Sequence, residues 1–119
     1  MSFDISLNDS VSGEEIEFDS PHQMKGGIYA VGGSCHASLN VTYNYSPIFY
    51  RVLGFSNGIR GLDKMFAADS IPILQQAANS LKDDIDSDYW KPTEGNAKRA
   101  LIQLLTMAKM RPDGIWRVR

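Results

Sequence analysis

The 119-residue sequence has one cysteine, no long apolar run and little net charge. A single cysteine, Cys35, excludes an internal disulfide framework, and without a CxxC pair or a Cys/His cluster we expect no structural zinc. No stretch approaches the roughly 20 apolar residues that a membrane-spanning helix needs. The first residues also lack the basic and apolar regions of a signal peptide. We therefore expect a cytoplasmic protein that makes no membrane contact.

Charge is distributed unevenly along the chain. The net charge of -2 is too small to favour a protein that coats nucleic acid. The first 24 residues carry six carboxylates and no Lys or Arg, whereas residues 91–119 carry seven basic side chains and two acidic ones. The two ends are therefore expected to attract each other. Arg111, Arg117 and Arg119 with Trp116 form a basic tail, but no RNA-binding motif accompanies it, so we do not expect nucleic acid as a partner.

Period-two patterns predict strands in the N-terminal half. Two alternating stretches, 3–7 and 16–18, flank the turn-forming NDSVSG string and predict an opening hairpin. Two Gly-Gly pairs bracket a third predicted strand, 28–31. A fourth, 37–45, has a clean alternation. One face of it carries Leu39, Val41, Tyr43 and Tyr45, and the other carries Asn40, Thr42 and Asn44.

Helix signals dominate the second half. Ser46 and Pro47 predict a short helix over 48–53, and 58–68 is expected to be loop with at most one helical turn. Ser70 is the predicted N-cap of a helix that ends near Lys82. Thr93 is the predicted cap of a last helix that runs to about Met110.

The last helix is expected to be largely buried, because only a narrow stripe of Arg99, Gln103 and Thr106 is polar. The residues 115–118 are expected to return as a short edge strand. The predicted fold is a single α+β domain, 1–119. It has an N-terminal antiparallel β-meander of about four strands, followed by two to three packed helices and a possible short C-terminal strand.

Two groups of residues resemble parts of a metal site or a catalytic site, but neither has the complete pattern. Asp84, Asp86 and Asp88 have the spacing of a calcium loop, but the positions for Gly and for the bidentate Glu hold Tyr89 and Gly95. We therefore expect a solvated inter-helix loop and no metal. Cys35 and His36 are neighbours in a predicted strand, where consecutive side chains point to opposite faces. No catalytic residue and no cofactor are therefore predicted.

Two segments are candidate binding surfaces for a protein or a small ligand. The first is the strand face with its flanking glycines, comprising Asn40, Thr42, Tyr43, Asn44 and Tyr45. The second is the pair Tyr89 and Trp90, two large aromatic residues in a linker just before a helix cap. Such aromatics are either a hydrophobic plug over the helices or a partner-binding hot spot.

Four unusual strings occur along the chain. In order, they are GGIYAVGG (26–33), LNVTYNYSPIFYRVLG (39–54), DYWKPTEGNAKRAL (88–101) and MAKMRPDGIW (107–116). Together they resemble a family of small uncharacterised proteins encoded in bacteriophages, prophages and bacterial genomes, over most of the chain. The family ends in acidic residues after the last string, where this chain has Arg117-Val118-Arg119. The resemblance carries no assigned activity and implies a bacterial setting.

The first hypothesis is therefore a non-enzymatic phage-type binding protein that inhibits a host protein, for example a defence nuclease. The alternative is a small-ligand sponge that holds a nucleotide-like molecule against the glycine-flanked strand. A small enzyme that uses His36 or the acidic loop is third. The apolar last helix leaves room for a homodimer.

Overall fold

Four of the described strands come first along the chain, the helices follow, and a last strand ends it. The structure is a computed structural model that describes residues 1–22 and 34–119. The strands are β1 (Ser2–Asn8), β2 (Glu17–His22), β3 (Ser34–His36), β4 (Ser38–Thr42) and β5 (Ile115–Val118). The α-helices are α1 (Ser46–Val52), α2 (Ala67–Asn79) and α3 (Glu94–Met110), and two 3₁₀ helices cover Tyr43–Tyr45 and Gly58–Leu62.

The strands form an antiparallel sheet in the order β4-β1-β5 and a two-stranded unit of β2 and β3. In the first sheet Phe3 lies opposite Val41, and Leu7 lies opposite Trp116. The predicted opening hairpin is reduced to an isolated bridge between Asn8 and Glu15, beside which the Ile16 amide donates to the Leu7 carbonyl at 2.9 Å. Beyond it β2 pairs with β3 and not with β1. The α+β class is thus confirmed, with N-terminal strands, packed helices and a C-terminal strand. The predicted strand 28–31 lies outside the described residues.

The two ends of the chain meet in the central strand. The backbone groups of Asp4 and Arg119 exchange hydrogen bonds of 2.7 and 2.8 Å. Arg111 also approaches Asp9 at 3.8 Å. Both partners of that ion pair are partly exposed, and such pairs contribute little to stability. The expected meeting of the ends is therefore made chiefly by strand pairing between β1 and β5.

One cluster of buried apolar side chains joins the sheet to the helices. Helix α3 packs against α2 and contributes Leu101 and Leu104, both completely buried. Its predicted start is confirmed, because Thr93 Oγ1 accepts a hydrogen bond from the Asn96 amide at 3.1 Å. Its predicted burial is also confirmed. Within the described ranges, no helix has both the length and the apolarity to cross a membrane.

The fourth predicted strand is three residues too long. β4 ends at Thr42, and Tyr43–Tyr45 form a 3₁₀ helix instead. Thr42 Oγ1 accepts from the Asn44 amide at 3.2 Å and so caps this turn. The ring of Tyr45 is then buried in the core. Tyr43 and Tyr45 therefore do not share a strand face, although a period of two predicted it.

The start of α2 also differs from the prediction. The helix begins at Ala67 with Phe66 as the N-cap, and it ends at Asn79 rather than near Lys82. Ser70 lies inside the first turn and is fully buried. Its hydroxyl donates to the Ala67 carbonyl at 2.7 Å and accepts from the Trp116 indole nitrogen at 2.8 Å. Ser70 thus serves a tertiary contact, which a helix-capping rule does not anticipate.

The Ser70 contact predicts an unequal effect of two serine substitutions in and after α2. Ser70→Ala should lower the free energy of unfolding by roughly 1–3 kcal/mol, because it leaves the buried indole N–H of Trp116 without an acceptor. Ser80→Ala is the matched control, since Ser80 donates the same bond to Ala77 at 2.7 Å from an exposed position. It should change that energy by less than about 0.5 kcal/mol. Urea unfolding of both variants measures the difference, and equal losses would contradict it.

Candidate functional site

The two predicted binding segments meet at the side chain of Tyr89. Its hydroxyl accepts a hydrogen bond from the Thr42 amide at 3.0 Å and donates to the Asn40 carbonyl at 3.1 Å. The linker before α3 is thereby joined to the end of β4. We call the set Asn40, Thr42, Asn44, Tyr45, Tyr89 and Trp90 the Tyr89 junction. Six of the seven predicted site residues belong to it.

Further contacts fix the backbone of the linker. The buried hydroxyl of Tyr45 donates to the Tyr89 carbonyl, and the two rings meet edge to face at 5.7 Å. The Asn44 side-chain amide donates to the Trp90 carbonyl at 2.8 Å. The Trp90 ring rests edge to face on the Tyr89 ring, with centroids 5.1 Å apart. Tyr89 and Asn44 therefore hold Trp90 through its ring and its carbonyl group.

Accessibility separates the members of the junction. Thr42 and Tyr45 are each 1% exposed, so neither side chain can contact a partner. Tyr89 is half-buried and its hydroxyl is engaged by protein groups. Trp90 is 51% exposed, and Asn44 beside it is also exposed. The surface that the junction presents to solvent is therefore centred on the Trp90 ring.

Tyr43 is the predicted site residue that faces elsewhere. Its ring lies 4.5 Å from that of Phe3, and its hydroxyl accepts from Arg60 at 3.3 Å. The Arg60 guanidinium lies 5.0 Å from the centre of the Phe3 ring and 5.9 Å from that of Tyr43. These are distances at which a cation and an aromatic face attract each other. Tyr43 therefore belongs to a second cluster, with Phe3 of the core and Arg60, that the sequence did not indicate.

The buried side chain of Asn96, in the first turn of α3, organises the linker. Its oxygen accepts from the Asp86 amide at 3.0 Å, and its nitrogen donates to the carbonyls of Asp88 and Lys91, both at 3.0 Å. Asn96 is 4% exposed. Because it supplies both an acceptor and two donors, it satisfies backbone groups on each side of Tyr89. Asn96 is therefore one of the side chains that position the aromatic pair, together with Asn44 and Tyr45.

The acidic run before the junction has structural partners. Asp84 accepts from the Gly95 amide at 2.9 Å, and Asp83 pairs with Lys98 at 2.7 Å. Asp86 accepts from the Asp88 amide at 2.8 Å, which with Lys91 holds the pKa of the Asp86 carboxyl below its usual value. No group of three or more His, Cys, Asp or Glu that could hold a metal ion occurs in the parts of the chain that the structure describes.

The other sequence candidates are the Cys35–His36 pair and the basic tail. Cys35 and His36 are consecutive residues of β3, and consecutive strand side chains point to opposite faces. The predicted basic tail is interrupted, because Trp116 is 1% exposed and cannot contact a phosphate. Arg111 meanwhile forms two hydrogen bonds to the carboxylate of Asp113, at 2.9 and 3.0 Å.

A cleft of about 400 Å³ lies between the start of the linker and one side of α3. Gln103 lines it and is 3% exposed, so the prediction of a solvent-facing polar stripe is wrong at this residue. The neighbouring Ile102 is instead 44% exposed. Neither the amide nitrogen nor the oxygen of Gln103 has a hydrogen-bond partner among residues 1–22 and 34–119.

Sequence reasoning missed Asn96 and Gln103 as site residues. Both are amides near apolar helix positions, which is a signal of a buried polar role, but the pattern alone does not say which groups they meet. No protein-family model, no curated protein and no solved structure matches this chain.

Removal of the Asn96 side chain should loosen the linker. In Asn96→Ala one backbone N–H and two carbonyls lose their partner, and each buried group left unpaired costs roughly 1–3 kcal/mol. We expect the free energy of unfolding to fall by about 2 kcal/mol or more. Hydrogen exchange should accelerate at the Asp86 amide. Asn79→Ala, at an exposed asparagine of α2, is the control, and unchanged exchange in both variants would contradict this role.

Alkaline pH should weaken the junction through Tyr45. Burial, and to a lesser degree the nearby Tyr89, raises the pKa of the Tyr45 hydroxyl from 10.0 to about 12. Since the folded state holds this proton more tightly, its contribution to stability is present in full below pH 10 and is lost as pH rises through about 12. Unfolding measured from pH 9 to 12 should therefore show a decline.

Two phenylalanine variants assign that decline. Tyr45→Phe should be less stable at neutral pH, because the Tyr89 carbonyl loses a donor, and it should have a shallower alkaline slope. Tyr50→Phe alters a ring that is 54% exposed, and it should keep the original slope. A slope that is the same in all three proteins would rule out Tyr45 as its source.

Proposed function

We propose that the chain is a non-enzymatic binding protein that contacts another protein through the exposed face of Trp90. The observation that carries the proposal is the position of this ring. It is 51% exposed, yet its backbone is held by Asn44 and Asp88 and its ring rests on Tyr89. A large aromatic side chain kept in one place and left open to solvent is the typical anchor of a protein interface.

Preorganisation is the physical advantage of this arrangement. A flexible side chain loses roughly 0.5–1.5 kcal/mol of conformational freedom when an interface immobilises it. Trp90 has already lost part of that freedom in the free protein, because Tyr89 and the linker constrain it. The polar atoms beneath it are satisfied within the junction, so burial of the ring leaves none of them without a partner.

The class of partner follows from the resemblance to phage-encoded proteins. A protein of that origin acts inside a bacterial cell, and a host protein, such as a defence nuclease that the binding inhibits, is the natural target. The partner would need an apolar pocket that accepts an indole ring. Trp, Tyr and Arg lead such sites, with losses of 2 kcal/mol or more on truncation.

Trp90→Ala tests the proposal against an aromatic control. Immobilised wild-type protein should retain a bacterial protein that Trp90→Ala retains at least about thirty-fold more weakly, which is what a loss of 2 kcal/mol gives. The control is Phe66→Ala, since Phe66 is 48% exposed and pairs with Ile115 of β5, on the opposite edge of the described sheet from β4.

Quantitative affinity of the purified partner should be unchanged by Phe66→Ala. Circular dichroism of each variant verifies that the fold is kept. Retention of the same proteins by all three forms, or of none by the wild type, would refute the proposal.

A further inference from the structure

The cleft beside α3 has a composition unlike that of an ordinary surface groove. It is lined on one side by Asp83 and Ile85 of the linker, and on the other by residues of α3 that recur every three or four positions. The α3 residues are Gly95, Lys98, Arg99, Ile102, Gln103 and Thr106. Its volume of about 400 Å³ is within the range of small-molecule sites in proteins.

The width of the cleft is fixed by a close backbone approach. A Cβ atom at Gly95 would lie 2.5 Å from the carbonyl carbon of Asp84 and 2.5 Å from the amide nitrogen of Ile85. The Gly95 amide also donates to the Asp84 carboxylate at 2.9 Å. The linker therefore meets α3 directly at this glycine. From there the cleft opens toward Gln103 and Thr106.

Gln103 supplies the hydrogen-bonding groups of the cleft. Its side chain offers one acceptor and two donors, and none has a partner in the part of the chain that the structure describes. A buried polar group left in this state destabilises the fold, and native proteins keep few of them. A ligand that carries a donor and an acceptor side by side would satisfy both ends of the amide. Every nucleobase has such an edge, and glutamine pairs in this way with adenine.

The remaining lining residues suit the other parts of a nucleotide. Ile85 and Ile102 are 52% and 44% exposed, and they offer apolar surface to the faces of a flat ring. Arg99 has no ion-pair partner among the described residues, whereas Lys98 is paired with Asp83 at 2.7 Å. Arg99 also lies near enough to the Tyr45 hydroxyl for its charge to oppose the rise that burial causes in the pKa of that group. A guanidinium without an ion pair is well matched to a phosphate group, because its planar fork donates two parallel hydrogen bonds.

We propose that this cleft binds a nucleoside monophosphate. The amide atoms of Gln103 are closed to solvent in the free protein, so a base reaches them once side chains at the cleft wall move aside. Gln103 then recognises the edge of the base, Ile85 and Ile102 cover its faces, and Arg99 contacts the phosphate. A free nucleotide is favoured over a nucleic-acid strand because the cleft is small and the protein carries a net charge of -2. This site is separate from Trp90 and is independent of the function proposed above.

Calorimetric titration of the full chain with the 5′-monophosphates of adenosine, guanosine, cytidine and uridine tests the proposal. At least one should bind saturably. Gln103→Leu should weaken that binding about tenfold or more, since a good two-bond contact to a base is worth at least that factor. The same variant should unfold at an equal or higher temperature than the wild type, because it removes an unpaired polar group.

Arg99→Ala provides an independent readout if Gln103→Leu fails to fold. It should weaken binding of the nucleotide and leave the affinity of the matching nucleoside unchanged, since the nucleoside lacks the phosphate. Lys109→Ala is the control, because Lys109 is an exposed cation of the same helix that does not line the cleft. It should bind like the wild type.

The contrary outcomes are distinct. No saturable binding of any of the four nucleotides at millimolar concentration would overturn the proposal. Binding that survives Gln103→Leu unchanged, or that Lys109→Ala abolishes equally, would overturn it as well. Single-stranded oligonucleotides are titrated as well. Binding of these without binding of any mononucleotide would show that a strand is the ligand and that the proposed class is wrong.

Discussion

The pairing of β5 with β1 is the contact on which the rest of the fold depends. The last strand of the chain lies beside the first, and it carries the fully buried indole of Trp116 beneath the first turn of α2. Gly114 permits this approach, because a Cβ atom there would lie 2.6 Å from Leu7 Cγ. The sheet, the start of α2 and the two ends of the chain are thus joined at one place, and they should be lost together on unfolding.

The linker before α3 depends on the β1–β5 pairing indirectly, through α2 and α3. Helix α3 packs against α2 in the core, so the first turn of α3 is a fixed support. Asn96 projects from that turn and binds the linker backbone, while Tyr89 reaches across to the end of β4. A segment without regular secondary structure is therefore ordered by side chains. This is how one exposed aromatic, Trp90, can be held in a fixed position on an irregular stretch of chain.

The sequence predicted correctly those elements that are determined by residues close together in the chain. Thr93 caps α3 and residues 115–118 form a strand, because cap chemistry and side-chain alternation act within a few residues. The wrong predictions concern residues whose conformation is determined by a group far away in the sequence. Ser70 is drawn into the helix by an indole 46 positions away, and Tyr45 leaves its strand because its hydroxyl reaches the Tyr89 carbonyl. The sequence marked both aromatic segments as site candidates, but it could not show that they meet or that Thr42 and Tyr45 are buried.

The two surfaces differ in how their polar groups are satisfied, and this difference separates stability from binding. At the Tyr89 junction the hydroxyls, amides and carbonyls named above are paired within the protein, so changes beneath Trp90 act first on stability. At Gln103 the pairing is incomplete, and a change there can raise stability while it removes a contact for a ligand. Departures from the rule that buried polar groups are paired concentrate at functional sites, where a bound molecule completes the network. Gln103 breaks that rule in a helix whose other buried polar side chain, Asn96, is fully paired, which makes a purely structural role a poor explanation for it.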